Sequence, residues 1–265
     1  MRDFKDRLKK GDRVLGVWCD LPSPHVINVM AKTGLDFAII DMEHGFPSFE
    51  TVDAMIKATE VEGCTAMVRV AKNDESYILK ALDMNAKGVL IPHIESVEDA
   101  HAAINFSKYH PKGMRGFTSL TRAGGYSLHN VATHCGKQND RTVVGLLLEG
   151  KKGIKNIDKI LAMDEIGEVD FIYIGAYDLS QAFGHPGCVD HPAVKKALET
   201  CVKKIRARGL AAGGYVAKDE KDMQWMCAMG MQVITLLPDC TVLFHAYEKL
   251  CMDFQRVVSN KRGTP

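Results

Sequence analysis

The feature that most limits what this chain can become is a rhythm: short runs rich in Val, Ile and Leu keep returning, each followed by a longer amphipathic stretch. Eight of these runs read as strands, at 14–19, 37–42, 66–70, 88–93, 143–149, 170–175, 211–216 and 232–237. Runs that are apolar almost throughout are buried on both faces, and a sheet covered by helices on both faces is parallel. Between them, 74–86 opens with acids that suit the positive end of a helix dipole and sets Ile78, Leu79 and Leu82 on one side. Segment 190–209 starts Asp-His-Pro and closes on Gly209 behind Lys and Arg, which is the grammar of a complete helix.

Eight strands with helices between them predict one (β/α)8 TIM barrel spanning residues 1–265, in preference to an open doubly wound sheet. Neither a G-x-G-x-x-G after the first strand nor a P-loop is present, so dinucleotide and nucleotide-triphosphate readings lose their anchor. One stretch breaks the rhythm. Residues 110–141 are too long and polar for a plain connection, and with Arg115 and Arg122 set among glycines they read as a lid or an oligomer contact.

Lys and Arg total 34 against 33 for Asp and Glu, which leaves no basic excess to drive nucleic-acid binding. A small-molecule partner is expected instead. No apolar run approaches the roughly 18 residues a membrane span needs, and the charged N-terminus lacks the apolar centre of a secretory signal. The eight cysteines are scattered without a C-x-x-C pair, so a reduced, cytoplasmic protein is expected.

In a parallel barrel the active site lies where the strands end, and four ends carry charge. The second run exits through Asp41, Glu43 and His44, the third carries Arg69, the fifth ends in Glu149, and the sixth runs through IGAYDLS to Asp178. Glu149 and Asp178 offer oxygen to one hard divalent cation such as Mg2+ or Mn2+. His44 is then a candidate proton acceptor, and the forked donors of Arg69 suit a carboxylate or a developing oxyanion. A cation, a base and a guanidinium around one cavity suit enolisation of a 2-oxo acid and cleavage of a C–C bond. Taken singly, each has a plainer alternative: a solvated acidic rim, a capping histidine, or Arg69 simply paired with Asp41 or Glu43.

The ordered motifs LGVW, IIDMEHG, VRV, KALDMNAKGVLIPHI, KGMRG, TRAGGY, GLLLEG and IGAYDLSQAFGHPG resemble the HpcH/HpaI aldolases over most of the chain. That resemblance implies a metal-dependent class II pyruvate aldolase, using Mg2+, Mn2+ or Co2+, that splits a 4-hydroxy-2-oxo acid into pyruvate and an aldehyde through a pyruvate enolate. It implies Glu149 and Asp178 as metal ligands, with His44, Arg69 and Asp83 as catalytic residues. Arg69, Ala176, Tyr177 and Asp178 would meet the substrate. Asp83 would support His44 across a subunit contact, in a hexamer built as a trimer of dimers whose last helix, about 241–257, packs on a neighbour. A malyl- or citramalyl-CoA-type lyase and a catalytically silent binding or scaffold protein are the alternatives. Three positions depart from the family pattern: Leu147 stands in place of Gln, Gly150 in place of Ser, and Tyr177 in place of a small residue.

Overall fold

A computed structural model describes residues 4–127, 130–215 and 219–260. In it all eight predicted runs are parallel strands: β1 (Val14–Cys19), β2 (Phe37–Asp41), β3 (Thr65–Arg69), β4 (Gly88–Ile91), β5 (Val143–Leu148), β6 (Phe171–Ile174), β7 (Ala211–Tyr215) and β8 (Val233–Leu236). Each pairs with the next, and β8 returns to β1, so the sheet closes into the expected (β/α)8 TIM barrel.

Successive strand residues point to opposite faces, which divides the apolar side chains between two regions. Inside the barrel lie Trp18, Phe37, Met67, Leu90, Phe171 and Tyr173, while Ile40, Val68, Val89, Leu146 and Ile172 pack outward under the helices. Glycines set the inner layering: a Cβ at Gly16 or Gly145 would run into the rings of Phe37 and Phe171. The short helix Phe4–Lys9 closes the N-terminal end, with Phe4 edge-on to Phe37 at 5.4 Å.

The predicted helices are present with tighter ends. Helix Glu75–Asp83 is capped by Asp74, which accepts the Ser76 N–H. Helix Pro192–Ala207 is capped by His191 through its side chain, and Gly209 takes the left-handed φ of +84° that ends it. Segment 110–141 finishes in a helix, Val131–Arg141. Its arginines turn toward the barrel's outer helices: Arg115 donates to Asp83 at 2.7 Å, and Arg122 pairs with Glu60 at the end of helix Phe49–Val61. Among the described residues, none of this segment borders the cavity at the strand ends, so it braces the outer ring. No described helix is long and apolar enough to cross a membrane.

The N-terminal face of the barrel holds a buried cation. Lys108 is fully buried and donates to the carbonyls of Asn139 at 2.8 Å and Thr142 at 3.0 Å, beside Lys5, which pairs with Asp170 at 3.1 Å. Burial first, and the charge of Lys5 second, push Lys108 down from 10.5 to about 8. Below pH 8 the folded and unfolded chains both keep the proton, and the cost of burying it is present in full. Between about pH 8 and 10.5 the folded chain sheds it first, so that cost is withdrawn as pH rises. Urea denaturation should therefore show the native protein gaining roughly 3 kcal/mol on Lys108→Met between about pH 7.5 and 10.5. A difference that stays flat with pH would contradict a charged lysine in this position.

Candidate active site

The strand ends surround a cavity of about 500 Å³, a size that suits a small-molecule ligand. His44, Arg69, Glu149, Ala176, Tyr177 and Asp178, delivered by four different strand ends, all line it.

Asp41 and Arg69 are register partners across β2 and β3, so strand alignment alone brings them together. Arg69 donates from Nε to Asp41 Oδ1 at 2.8 Å and from Nη2 to the second carboxylate oxygen, a two-pronged charge-assisted pair. Its Nη1 lies 2.9 Å from Glu43 Oε2, and its Cζ stands 4.7 Å from the centre of the Trp18 ring. Burial alone would lower the guanidinium's pKa, but the Asp41 hydrogen bond and the charges of Asp41, Glu43 and Glu149 hold it above its ordinary value. The plainer expectation, pairing with Asp41 or Glu43, is met on both counts, and Arg69 still borders the cavity.

The same Asp41 shapes the turn that carries His44. Its Oδ1 accepts the backbone N–H of Glu43 at 2.8 Å and of His44 at 3.3 Å, as a side-chain-closed turn requires. Two residues of the motif make this possible: Asp41 supplies the acceptor, and Gly45 has no Cβ to overlap the Asp41 carbonyl. His44 sits between them and lines the cavity.

Glu149 is only 6% exposed. Burial pushes its carboxyl above the usual range, with Glu43 and Asp178 adding to the effect, while the His93 N–H and ring pull the other way. A Cβ at Gly175 would lie 2.8 Å from that of Glu149, so the glycine lets the segment Ala176–Ala182, with Asp178 in its first turn, approach the carboxylate. Glu43, His93 and Glu149 also bring potential ligand atoms within 4.8 Å of one another, and Glu43 Oε2, buried and ion-paired with Arg69, makes no geometrically sound hydrogen bond. A hard divalent cation is best held by clustered carboxylate oxygens, and Glu43, Glu149 and the nearby Asp178 supply them, so the donors present fit one.

Other residues complete the cavity. Trp18 Nε1 donates to Thr235 Oγ1 at 3.0 Å and to the Tyr173 hydroxyl at 3.2 Å, which fixes the floor. Tyr177 meets Tyr215 edge-on at 5.5 Å on the rim, where burial and the neighbouring Tyr177 raise the Tyr215 hydroxyl's pKa. Asp20 faces in from β1. Behind it, the Asp239 carboxylate accepts the backbone N–H groups of Asp20 at 3.0 Å, Leu21 at 3.2 Å and Cys240 at 2.7 Å. Leu147 lines the wall, and Gly150 begins helix Lys151–Leu161 without a side-chain cap. Asp83 is not part of this lining: it ends its helix and pairs with Arg115.

Residues 14–246 match the family described as HpcH/HpaI aldolase/citrate lyase. The 4-hydroxy-2-oxo-heptane-1,7-dioate aldolase of Klebsiella pneumoniae is 32% identical, covering 95% of this chain and 93% of that protein. The hydroxypyruvate/pyruvate aldolase of Sagittula stellata is 31% identical, covering 91% and 92% respectively. Among solved structures, a HpcH/HpaI aldolase/citrate lyase family protein from Burkholderia cenocepacia superposes with a TM-score of 0.87 at 25% identity, covering 95% of this chain and 98% of that one. With its barrel, its charged strand ends and this extent of likeness, the chain belongs to the HpcH/HpaI aldolase/citrate lyase family.

Proposed function

We propose that this chain acts as one barrel domain and as a divalent-cation-dependent aldehyde-lyase that cleaves a 4-hydroxy-2-oxo acid to pyruvate and an aldehyde. One observation carries this reading: His44, Arg69, Glu149 and Asp178, scattered along the sequence, border a single cavity. Tyr177 and Leu147 leave that cavity open at about 500 Å³, which disfavours a scaffold with a closed pocket.

Glu149 and Asp178 would hold the cation, Mg2+, Mn2+ or Co2+, whose Lewis acidity when bound makes the substrate ketone a better electron sink. Arg69, fixed by Asp41 and Glu43, would keep positive charge beside the oxygen that becomes anionic, with Ala176 and Tyr177 against the substrate. His44 would take the proton from the C4 hydroxyl as the C3–C4 bond breaks, releasing the aldehyde and leaving the electron pair on the pyruvate enolate. A proton delivered to C3 then completes pyruvate. Asp83 would support His44 from a neighbouring copy, since in its own chain it faces Arg115.

Assembly is the second part of the proposal. The last helix, Asp239–Asn260, leaves Val242, Phe244, Tyr247, Leu250, Phe254 and Val257 exposed, each by half or more of its surface. So much apolar surface on one helix calls for a covering partner, and a further copy of the chain, within a hexamer, supplies one. Thr241 and His245 of the same helix line the cavity, which links assembly to the site.

Supplied with Mg2+, Mn2+ or Co2+, the purified protein should release pyruvate from at least one member of a panel of 4-hydroxy-2-oxo acids, and inactivity with every cation would remove the reading. Glu149→Gln and Asp178→Asn should weaken cation binding by more than about 100-fold. Because the amide removes a carboxylate whose charged form is disfavoured by burial, Glu149→Gln should also raise the metal-free Tm. Arg69→Ala should slow turnover and leave cation affinity nearly unchanged; equal loss of both would make Arg69 purely structural. In light scattering, Phe244→Glu with Phe254→Glu should dissociate the native oligomer, whereas a monomeric native protein would rule out the assembly.

A further inference from the structure

His93 occupies an unusual place for a residue with no assigned part in the reaction. It follows β4 after a proline and takes a left-handed φ of 56°, a conformation that side-chain-bearing residues adopt only where their surroundings hold them. Those surroundings are the neighbouring strand's exit: Ile94 N–H reaches the Leu147 carbonyl at 3.2 Å, and His93 N–H reaches Glu149 Oε1 at 3.0 Å. The turn sets the ring against two carboxylates, one of which, Glu149, lines the cavity. Its Nδ1 lies 3.0 Å from Glu149 Oε1 and its Nε2 lies 2.7 Å from Glu43 Oε1. Whichever ring nitrogen carries the proton, one buried carboxylate receives it.

The two oxygens of Glu149 are thereby made unequal. Oε1 is held by both the backbone and the ring of His93. Oε2 turns toward the exit of β6, where a Cβ at Gly175 would stand 3.3 Å from it, and this exit carries Asp178. We infer that His93 is a positioning residue: it fixes Glu149 so that Oε2 faces Asp178 across the cation site, and it holds Glu43 alongside. This inference rests on the metal-dependent reading above. Groups that orient ligating carboxylates set cation affinity without touching the ion.

Calorimetry and Mn2+ titration followed by electron paramagnetic resonance test it, with the full-length protein and Mn2+ alone as the probe. Three variants separate the contributions. His93→Gly accepts the same φ and keeps the backbone N–H but loses the ring; Asn tolerates the φ and places an amide near the Nδ1 position; Gln reaches toward the Nε2 position. His93→Gly should bind Mn2+ about 10- to 100-fold more weakly, and His93→Asn should recover most of that loss. His93→Gln, which reaches Glu43 and not Glu149, should recover less. The metal-free Tm of each variant is measured beside it; affinity that falls only in step with Tm would assign His93 a merely structural role. Mn2+ affinity in His93→Gly within about twofold of the unaltered protein, far short of the loss expected for a positioning group, would overturn the inference. So would a nitrogen hyperfine coupling to bound Mn2+, which would make the ring a ligand. Failure of the unaltered protein to bind Mn2+, Mg2+ or Co2+ would instead strike the metal-dependent reading, and His93's part in it would fall as a consequence.

Discussion

The pairing of Arg69 with Asp41 is the contact on which the mouth of this barrel depends. Three carboxylates, those of Asp41, Glu43 and Glu149, are held where water scarcely reaches, and Arg69 is the buried cation set against them. Removing charges from water is costly, and the cost is offset only where geometry and hydrogen bonds are good. Here both carboxylate oxygens of Asp41 meet the guanidinium fork, and the remaining lone pairs of Oδ1 close the turn before His44. One aspartate therefore fixes the cation of the site and the backbone that carries its base.

The barrel makes this economical because neighbouring strands are in parallel register. Asp41 and Arg69 are brought side by side by the hydrogen bonding of β2 to β3, and Glu149 follows directly after β5, which pairs with β6 through Leu148 and Ile174. The inner layers beneath, with glycines facing Phe37 and Phe171, keep these strand ends from shifting. Rigid packing below and an anionic rim above are two halves of one design: the apolar part supplies stability that the charged part consumes.

Much of this was legible in the sequence. Strand positions followed from apolar runs, since a strand buried on both faces has no freedom to be polar, and the structure moves their ends by a residue or two. His44, Arg69, Glu149 and Asp178 stood out because charge at the end of an apolar run has few structural uses. Other features needed three dimensions. Nothing in IPHI announces that His93 turns left-handed and reaches two glutamates, because that conformation is imposed by the strand beside it. Arg115 and Arg122 read as part of a lid or an oligomer contact, and only the structure shows that their partners, Asp83 and Glu60, lie on the barrel's outer helices. Tyr215 ends β7 and Asp20 follows β1, and only closure of the sheet brings them to the cavity.

Asp239 joins two parts of the molecule that the chain separates by more than two hundred residues. With one carboxylate gripping the amides of Asp20, Leu21 and Cys240, the first turn of the terminal helix and the loop leaving β1 form a single mechanical piece. The first turn of that helix cannot shift without disturbing the bonds that hold Asp20, a residue of the chamber wall.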